Sequence, residues 1–487
     1  METSGPKLQS ELTLFDVANL VVGAIIGADI YVASSFGAGY LGPASLIVWV
    51  VAGLIAIVIA LCFAQCSALL PKVGGPYAYC KEAWGPLAGF IVGWSLWLAE
   101  WTSLAVFPAA FARYLMFFLP NLGWIHQTIV KALFVTFLIV TNIVGVKAAG
   151  RTNDILTIIK LAPLIFFSIA ALIYMVLHPD VATSNLSPFS PFGLSRFGEA
   201  LVLIFWAYAG FEISTIPADE IKDPGSTIPK AIVLGISIVT IFYLTTNILL
   251  FGVTPWTQLA VNTTPLASAT TVALGGNPRL ALIGGLIVGG GALVSVTGSD
   301  ESGMIGTSRL AYSLAVDGLF PRAFAKVHPR FKTPYLGIII QAVTALVAST
   351  IGGLDMLIAT SVLFMAIAYL ATSASIFPLR KKSTNPRFRP RGGLLIPSLG
   401  VIFSTYLISQ STIEQIAVGL VLLMVGPLIY FKYTPRKELE DLKKALLSEA
   451  SILERTYGQE NVFLAHLLRH VKRAYRRITG KRQAWNR

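Results

Sequence analysis

The sequence predicts an all-α membrane protein with twelve transmembrane helices. Ten of them form a five-plus-five inverted repeat with interrupted first and sixth helices. Three observations carry this prediction: the composition, the alternation of apolar runs with basic loops, and a matched pair of glycine–acid motifs.

Composition comes first. The chain is 55% hydrophobic and 13% charged, whereas soluble globular domains are roughly a quarter charged. Its charges crowd into short segments between long apolar runs. A run of about 20 apolar residues spans the ~30 Å hydrocarbon core as a helix. Lipid offers the backbone no hydrogen-bond partner, so such runs must be helical. The three cysteines, Cys62, Cys66 and Cys80, have no metal-ligand spacing, and the five histidines form no cluster. Cys62 and Cys66, four apart in one apolar run, read as packing residues. No metal or cofactor is expected. Met1 to Gln9 is polar and no cleavage site follows the first apolar run, so the first helix is expected to act as its own insertion signal.

The expected spans are 14–41, 44–70, 86–118, 126–147, 152–177, 199–221, 229–253, 279–314, 335–352, 355–378, 395–411 and 414–433. Basic residues follow every even-numbered span up to the tenth. They are Lys72 and Lys81, then Lys147 and Arg151, then Lys222 and Lys230. Arg322, Lys326, Arg330 and Lys332 come next, and Arg380, Lys381, Lys382, Arg387, Arg389 and Arg391 last. The opposite loops offer Arg196, Arg279 and, at a helix end, Lys131. Positive loops stay cytoplasmic, so both termini are expected inside the cell membrane. The chain then divides into a cytoplasmic N-terminus (1–13), a core of ten helices (14–378), helices eleven and twelve (395–433), and a basic cytoplasmic tail (434–487).

The net charge of +13 needs no nucleic-acid partner. After Thr434 the tail holds thirteen Lys/Arg against six Asp/Glu. Val462, Phe463, Leu467, Val471, Tyr475 and Ile478 recur there at helical spacing, interleaved with Lys472, Arg473, Arg476 and Arg477. That pattern fits either a basic amphipathic helix on anionic lipid or a solvated helix on the protein's own loops.

The matched motifs are Gly27-Ala28-Asp29-Ile30 in the first span and Gly210-Phe211-Glu212-Ile213 in the sixth. Each lies about fourteen residues into its span, five helices apart. Five spans per repeat, an odd number, makes the halves inverted, and interruptions at matching positions mark a transporter's central site. Glycine weakens a helix by about 1 kcal/mol relative to alanine. Unwinding frees backbone groups at mid-membrane that a bound solute can satisfy. A half-helix N-terminus also attracts anionic groups. A lone glycine pair would read as close helix packing; two matched sites, each with an acid, favour a solute site.

Ionisable groups within spans cost about 2.5–3.5 kcal/mol on insertion scales and mark function or helix-pinning pairs. They are Asp29, Glu100 in the third helix, Lys160 in the fifth, Glu212 in the sixth, and Asp300 and Glu301 in the eighth. Lys160, surrounded by apolar residues, is suited to loading and releasing a proton, with Asp29 a partner if the first and fifth helices touch. No Ser/His/Asp set, HExxH or phosphate loop is present, so neither an enzyme nor an ATP-driven pump is expected.

Four stretches carry a resemblance. They are Gly23 to Ile30, Phe205 to Glu212 with its continuation through Lys222-Asp223-Pro224, Ser308 to Tyr312 with Asp317 to Pro321, and Val73 to Tyr77. Together they resemble the amino acid–polyamine–organocation (APC) superfamily of permeases, with its LeuT-like inverted repeat. The resemblance implies a substrate site between helices 1, 3, 6, 8 and 10. It implies that Gly27, Ala28, Ile30, Ala209, Gly210 and Phe211 offer backbone to the substrate, with Phe205 or Trp206 closing over it. It places Lys160 where proton-coupled relatives carry a fifth-helix lysine. The family usually has a small residue where this chain has Asp29. That acid can pair with a substrate ammonium, carry a proton, or coordinate an inorganic cation such as potassium; Glu100 and Asp300 fit a cationic solute.

The function expected is a proton-coupled secondary transporter of amino acids, cationic or neutral, or of polyamines and other organic amines, working by alternating access. The alternative is an importer of potassium or a similar ion, with a small site of Asp29 and hydroxyls such as Ser34, Thr215 or Thr297. Expected partners are the small solute, the bilayer and, through helices 11 and 12, a second copy of the chain.

Overall fold

The computed structural model describes residues 12–434 except 73, 145–148, 216–217, 219–220, 383–387, 389 and 391. The basic tail, with Lys147, Arg387, Arg389 and Arg391, lies outside the described residues. The chain divides into a unit Met1–Tyr430 and a unit Phe431–Arg487.

The described chain is helical. In chain order its helices are α1 (Leu14–Ile25), α2 (Ala28–Leu41), α3 (Ser45–Leu69), α4 (Pro76–Trp84), α5 (Pro86–Leu115), α6 (Trp124–Val144) and α7 (Ala149–Leu177). Then come α8 (Pro179–Asn185), α9 (Phe197–Phe205), α10 (Pro224–Val253), α11 (Trp256–Leu259), α12 (Pro265–Ala273) and α13 (Pro278–Val316). The series ends with α14 (Tyr335–Ile351), α15 (Leu354–Lys382), α16 (Leu395–Ser409) and α17 (Ile413–Tyr433). Among the described residues, eight helical runs are long and apolar enough to cross a membrane, and α1, α9 with its 3-10 extension, α14 and α16 are shorter apolar helices. The protein is therefore a multi-pass helical membrane protein. The described residues hold no β-strand, only an isolated parallel bridge between Leu12 and Ile221.

The helices α1 and α9 are short because the chain breaks where the glycine motifs lie. At the first break Ile26 is extended (φ −77°, ψ 102°) and Gly27 follows at φ −141°, ψ −138°. A Cβ at Gly27 would stand 2.7 Å from Ser299 Oγ, so glycine is what lets α13 approach. At the second break α9 passes into a 3-10 turn, Trp206–Tyr208, then extended Ala209, then Gly210 at φ +120°. A Cβ at Gly210 would lie 2.9 Å from both the carbonyl carbon and the oxygen of Ala24. The two breaks therefore touch, backbone to backbone.

Side chains satisfy the freed backbone groups. Ser299 Oγ donates to Ile26 O at 3.2 Å, and Lys160 Nζ donates to Gly23 O at 3.3 Å. The Gly210 N–H donates to Glu212 Oε2 at 3.0 Å. Around these contacts α1 packs on α10, α7 and α13, while α5 packs on α13 and α15.

Gly210→Ala tests the backbone contact. A residue with a Cβ at this φ is strained by about 1–3 kcal/mol, and here the Cβ also meets backbone. The substitution is expected to lower the thermal unfolding midpoint in detergent, whereas Gly276→Ala, with nothing within 4 Å, leaves it unchanged.

Candidate functional site

A cavity of about 450 Å³, counted out to open solvent, lies where the two breaks meet. Ala24, Ile25 and Asp29 reach it from the first break, and Trp206, Ala209, Gly210 and Ile213 from the second. Helix α5 contributes Glu100, Ser103 and Phe107, α13 contributes Ser299, Ser302 and Gly303, and α15 contributes Met365. Its walls thus combine two carboxylic acids and three hydroxyls with an apolar part formed by Ile25, Phe107, Ile213 and Met365.

Each acid is held in place. Asp29 is 5% exposed and sits in the first turn of α2. The Tyr243 hydroxyl lies 2.9 Å from its Oδ2 and 3.1 Å from Ile25 O, so α10 buttresses both the acid and the break. Glu100 is 8% exposed, and its carboxyl faces that of Glu212. The Ser361 hydroxyl of α15 donates to Ala99 O at 2.8 Å, which pins α5 beside Glu100.

Trp206 covers one side of the cavity. Its indole N–H donates to Ser103 Oγ at 3.1 Å, and its ring meets Phe107 with centroids 5.9 Å apart. These contacts fix the ring, because a buried indole N–H without a partner is costly.

Of the residues singled out from sequence, Asp29, Glu100, Trp206, Ala209 and Gly210 line the cavity. Gly27, Ala28 and Ile30 stand at the first break behind its wall, with Ala28 and Ile30 fully buried. Phe205 is turned toward Tyr369, at 6.3 Å, and Phe211 packs between Phe63 and Tyr369. Asp300 is 1% exposed and outside the cavity wall, and neither of its carboxyl oxygens has a hydrogen-bond partner. Lys160 stands behind the first break rather than in the cavity. Its Nζ donates to Ser299 Oγ at 3.2 Å as well as to Gly23 O, and among the described residues it makes no ion pair with Asp29. Gly298 leaves it room: a Cβ there would lie 2.5 Å from Lys160 Cε.

The hydroxyls expected for a small-ion site go elsewhere. Ser34 donates to Asn247 Oδ1, Thr215 to Glu212 O and Thr297 to Leu293 O.

A profile of the amino acid permease family matches residues 12–430. This chain belongs to that family. The permease is 32% identical over 453 residues to a branched-chain amino acid permease of Bacillus subtilis (strain 168), covering 89% of this chain and 95% of the relative. It is 28% identical over 463 residues to a methylthioribose transporter of the same organism, covering 90% and 96%. It is also 28% identical over 446 residues to the large neutral amino acids transporter small subunit 2 of Homo sapiens, covering 88% and 81%. These relatives are transporters, not enzymes. They support amino acid transport and give no support to the potassium importer held open from the sequence.

Sequence reasoning missed Ser103, Phe107, Ser299, Ser302, Gly303 and Met365. Helical spacing could have found most of the permease's cavity wall. Ser103 and Phe107 stand three and seven residues after Glu100, and Ser302 and Gly303 three and four after Ser299. Nothing in the sequence marks Met365 or Tyr243.

Ser299→Ala removes both the donor to Ile26 O and an acceptor for Lys160. Leaving buried polar groups unpaired costs about 1–3 kcal/mol, so the unfolding midpoint of the permease in detergent should fall. Ser302→Ala, whose hydroxyl bonds within its own helix to Gly298 O, should leave it near wild type.

Proposed function

We propose that this permease is a secondary active transporter of amino acids or closely related amines, working by alternating access around the cavity at the two helix breaks. One observation carries the reading: Asp29 and Glu100 reach the same cavity beside Trp206, at the point where the broken helices touch. An ammonium group is the natural partner of two carboxylates in a wall without Lys, Arg or His. The apolar part formed by Ile25, Phe107, Ile213 and Met365 suits an aliphatic body. The relatives named for branched-chain and large neutral amino acids support this choice.

The architecture proposed is twelve crossings, ten of them in two inverted repeats, with both termini cytoplasmic in the cell membrane. Breaks at Gly27 and Gly210 and the alternation of basic loops support it. Helices α16 and α17, outside the repeat, offer a face for a second copy; this rests on fold-level analogy.

Transport then follows from what the residues do. The solute's amine binds between Asp29 and Glu100, and Trp206 stays over it, held by Ser103 and Phe107. Both breaks lie on the cavity, so rearranging their contacts opens one side and closes the other. Lys160 bridges Gly23 O and Ser299 Oγ, joining the first break to α13. Its protonated form makes both bonds charge-assisted, and proton release weakens them. A proton shifts the equilibrium through this difference between states, and the proton gradient supplies the energy.

Uptake into proteoliposomes tests the reading. Trp206→Ala and Glu100→Gln should each lower uptake at least tenfold while the protein stays folded. Lys160→Ala should abolish uptake driven by a pH gradient and leave measurable binding. Wild-type pH dependence in the Lys160 variant would remove lysine from the coupling step.

A further inference from the structure

The first turn of a helix leaves backbone N–H groups without partners, and these donors attract anions. At the wall of a transport cavity, such a turn is where a substrate's carboxylate is received. In this permease the turn is already taken. The Asp29 carboxylate leans back over the N–H groups of Gly27 and Asp29 itself. Its Oδ1 comes within 2.8 Å of the place a Gly27 Cβ would occupy, while Oδ2 meets the Tyr243 hydroxyl at 2.9 Å. The second break repeats the arrangement, since the Gly210 N–H donates to Glu212 Oε2 at 3.0 Å. At each break an acid of the chain itself thus takes amide donors, those of Gly27 and Asp29 at the first and that of Gly210 at the second.

The remaining wall offers an entering carboxylate hydroxyls but no cation. Among the described residues, the cavity is lined by no Lys, Arg or His. Lys160 is committed behind the break to Gly23 O and Ser299 Oγ. A carboxylate entering the cavity would find the carboxyl groups of Glu100 and Asp29 as its neighbours.

We propose that Asp29 determines specificity: it fills the amide cradle at the first break, so that the cavity selects aliphatic primary-amine cations without an α-carboxylate over the matching amino acids. The inference rests on the reading that this cavity is the transport site. The amine binds between the outer face of Asp29 and Glu100, with its aliphatic body on Ile25, Phe107, Ile213 and Met365. Removing the Asp29 side chain frees the amides for a carboxylate and takes away one of the two acids that compete with it.

The test compares matched pairs on the purified full chain, isopentylamine against leucine and cadaverine against lysine, by thermal shift and by competition for uptake in proteoliposomes. The wild type should bind each amine at least tenfold more tightly than its amino acid. Asp29→Gly should reverse the order for isopentylamine and leucine. Should that variant unfold, Asp29→Asn keeps the size of the side chain without its charge, and the amine preference should shrink at least tenfold. Leucine binding the wild type as tightly as isopentylamine, or a preference unmoved in both variants, overturns the role given to Asp29. Binding of neither member of either pair overturns the amine class. Trp206→Ala separates this proposal from the reading beneath it. If it weakens every ligand while the Asp29 variants change nothing, the cavity stands and the selectivity argument falls. If it changes no ligand's binding, the cavity itself is the wrong site.

Discussion

Everything in this protein is organised around peptide groups that have left helical geometry inside an apolar medium. Each such group must find a partner, because neither lipid nor a neighbouring apolar side chain can supply one. The permease answers with a small set of polar atoms converging on two points: Ser299 and Lys160 on the carbonyls of the first break, Glu212 on the amide of the second. The packing of α7 and α13 against α1 follows, since these helices must come close enough for a hydroxyl and an ammonium to reach. Glycines at 27, 210 and 298 are where that approach would otherwise meet a side chain.

The same convergence explains why charge is tolerated here. Asp29, Glu100, Lys160 and Glu212 are all buried, yet each faces a hydroxyl, a backbone dipole or another ionisable group. Asp300 is different, as its carboxyl oxygens meet no hydrogen-bond donor and it stands outside the cavity wall. Sequence alone gives both kinds of acid the same weight, because cost in the bilayer depends on residue type while use depends on direction.

Much of the architecture was legible before any coordinates. The apolar runs anticipate the helices, since length and uncharged composition are what membrane insertion reads. The Gly27 and Gly210 motifs mark the breaks, because glycine beside an acid has few other uses at that depth. The site was legible in part, Glu100 and Trp206 included. Asp29, Ala209 and Gly210 reach the cavity, whereas Phe205 and Phe211 turn into the aromatic packing around Tyr369. The backbone changes direction between these neighbours, and where it does the side-chain order no longer follows helical spacing. Short helices such as α4, α8 and α12 were not anticipated, as they lie between apolar runs and carry mixed composition.

The isolated bridge between Leu12 and Ile221 has a mechanical meaning. The Lys222 N–H donates to Leu12 O at 3.0 Å, stitching the strand of chain that enters the first broken helix to the strand that leaves the second. Further along, Gly210 rests on Ala24. The two half-helices are thus fastened at both ends, like a pair of oars lashed at handle and blade. A displacement of either segment therefore pulls on the other through these two contacts.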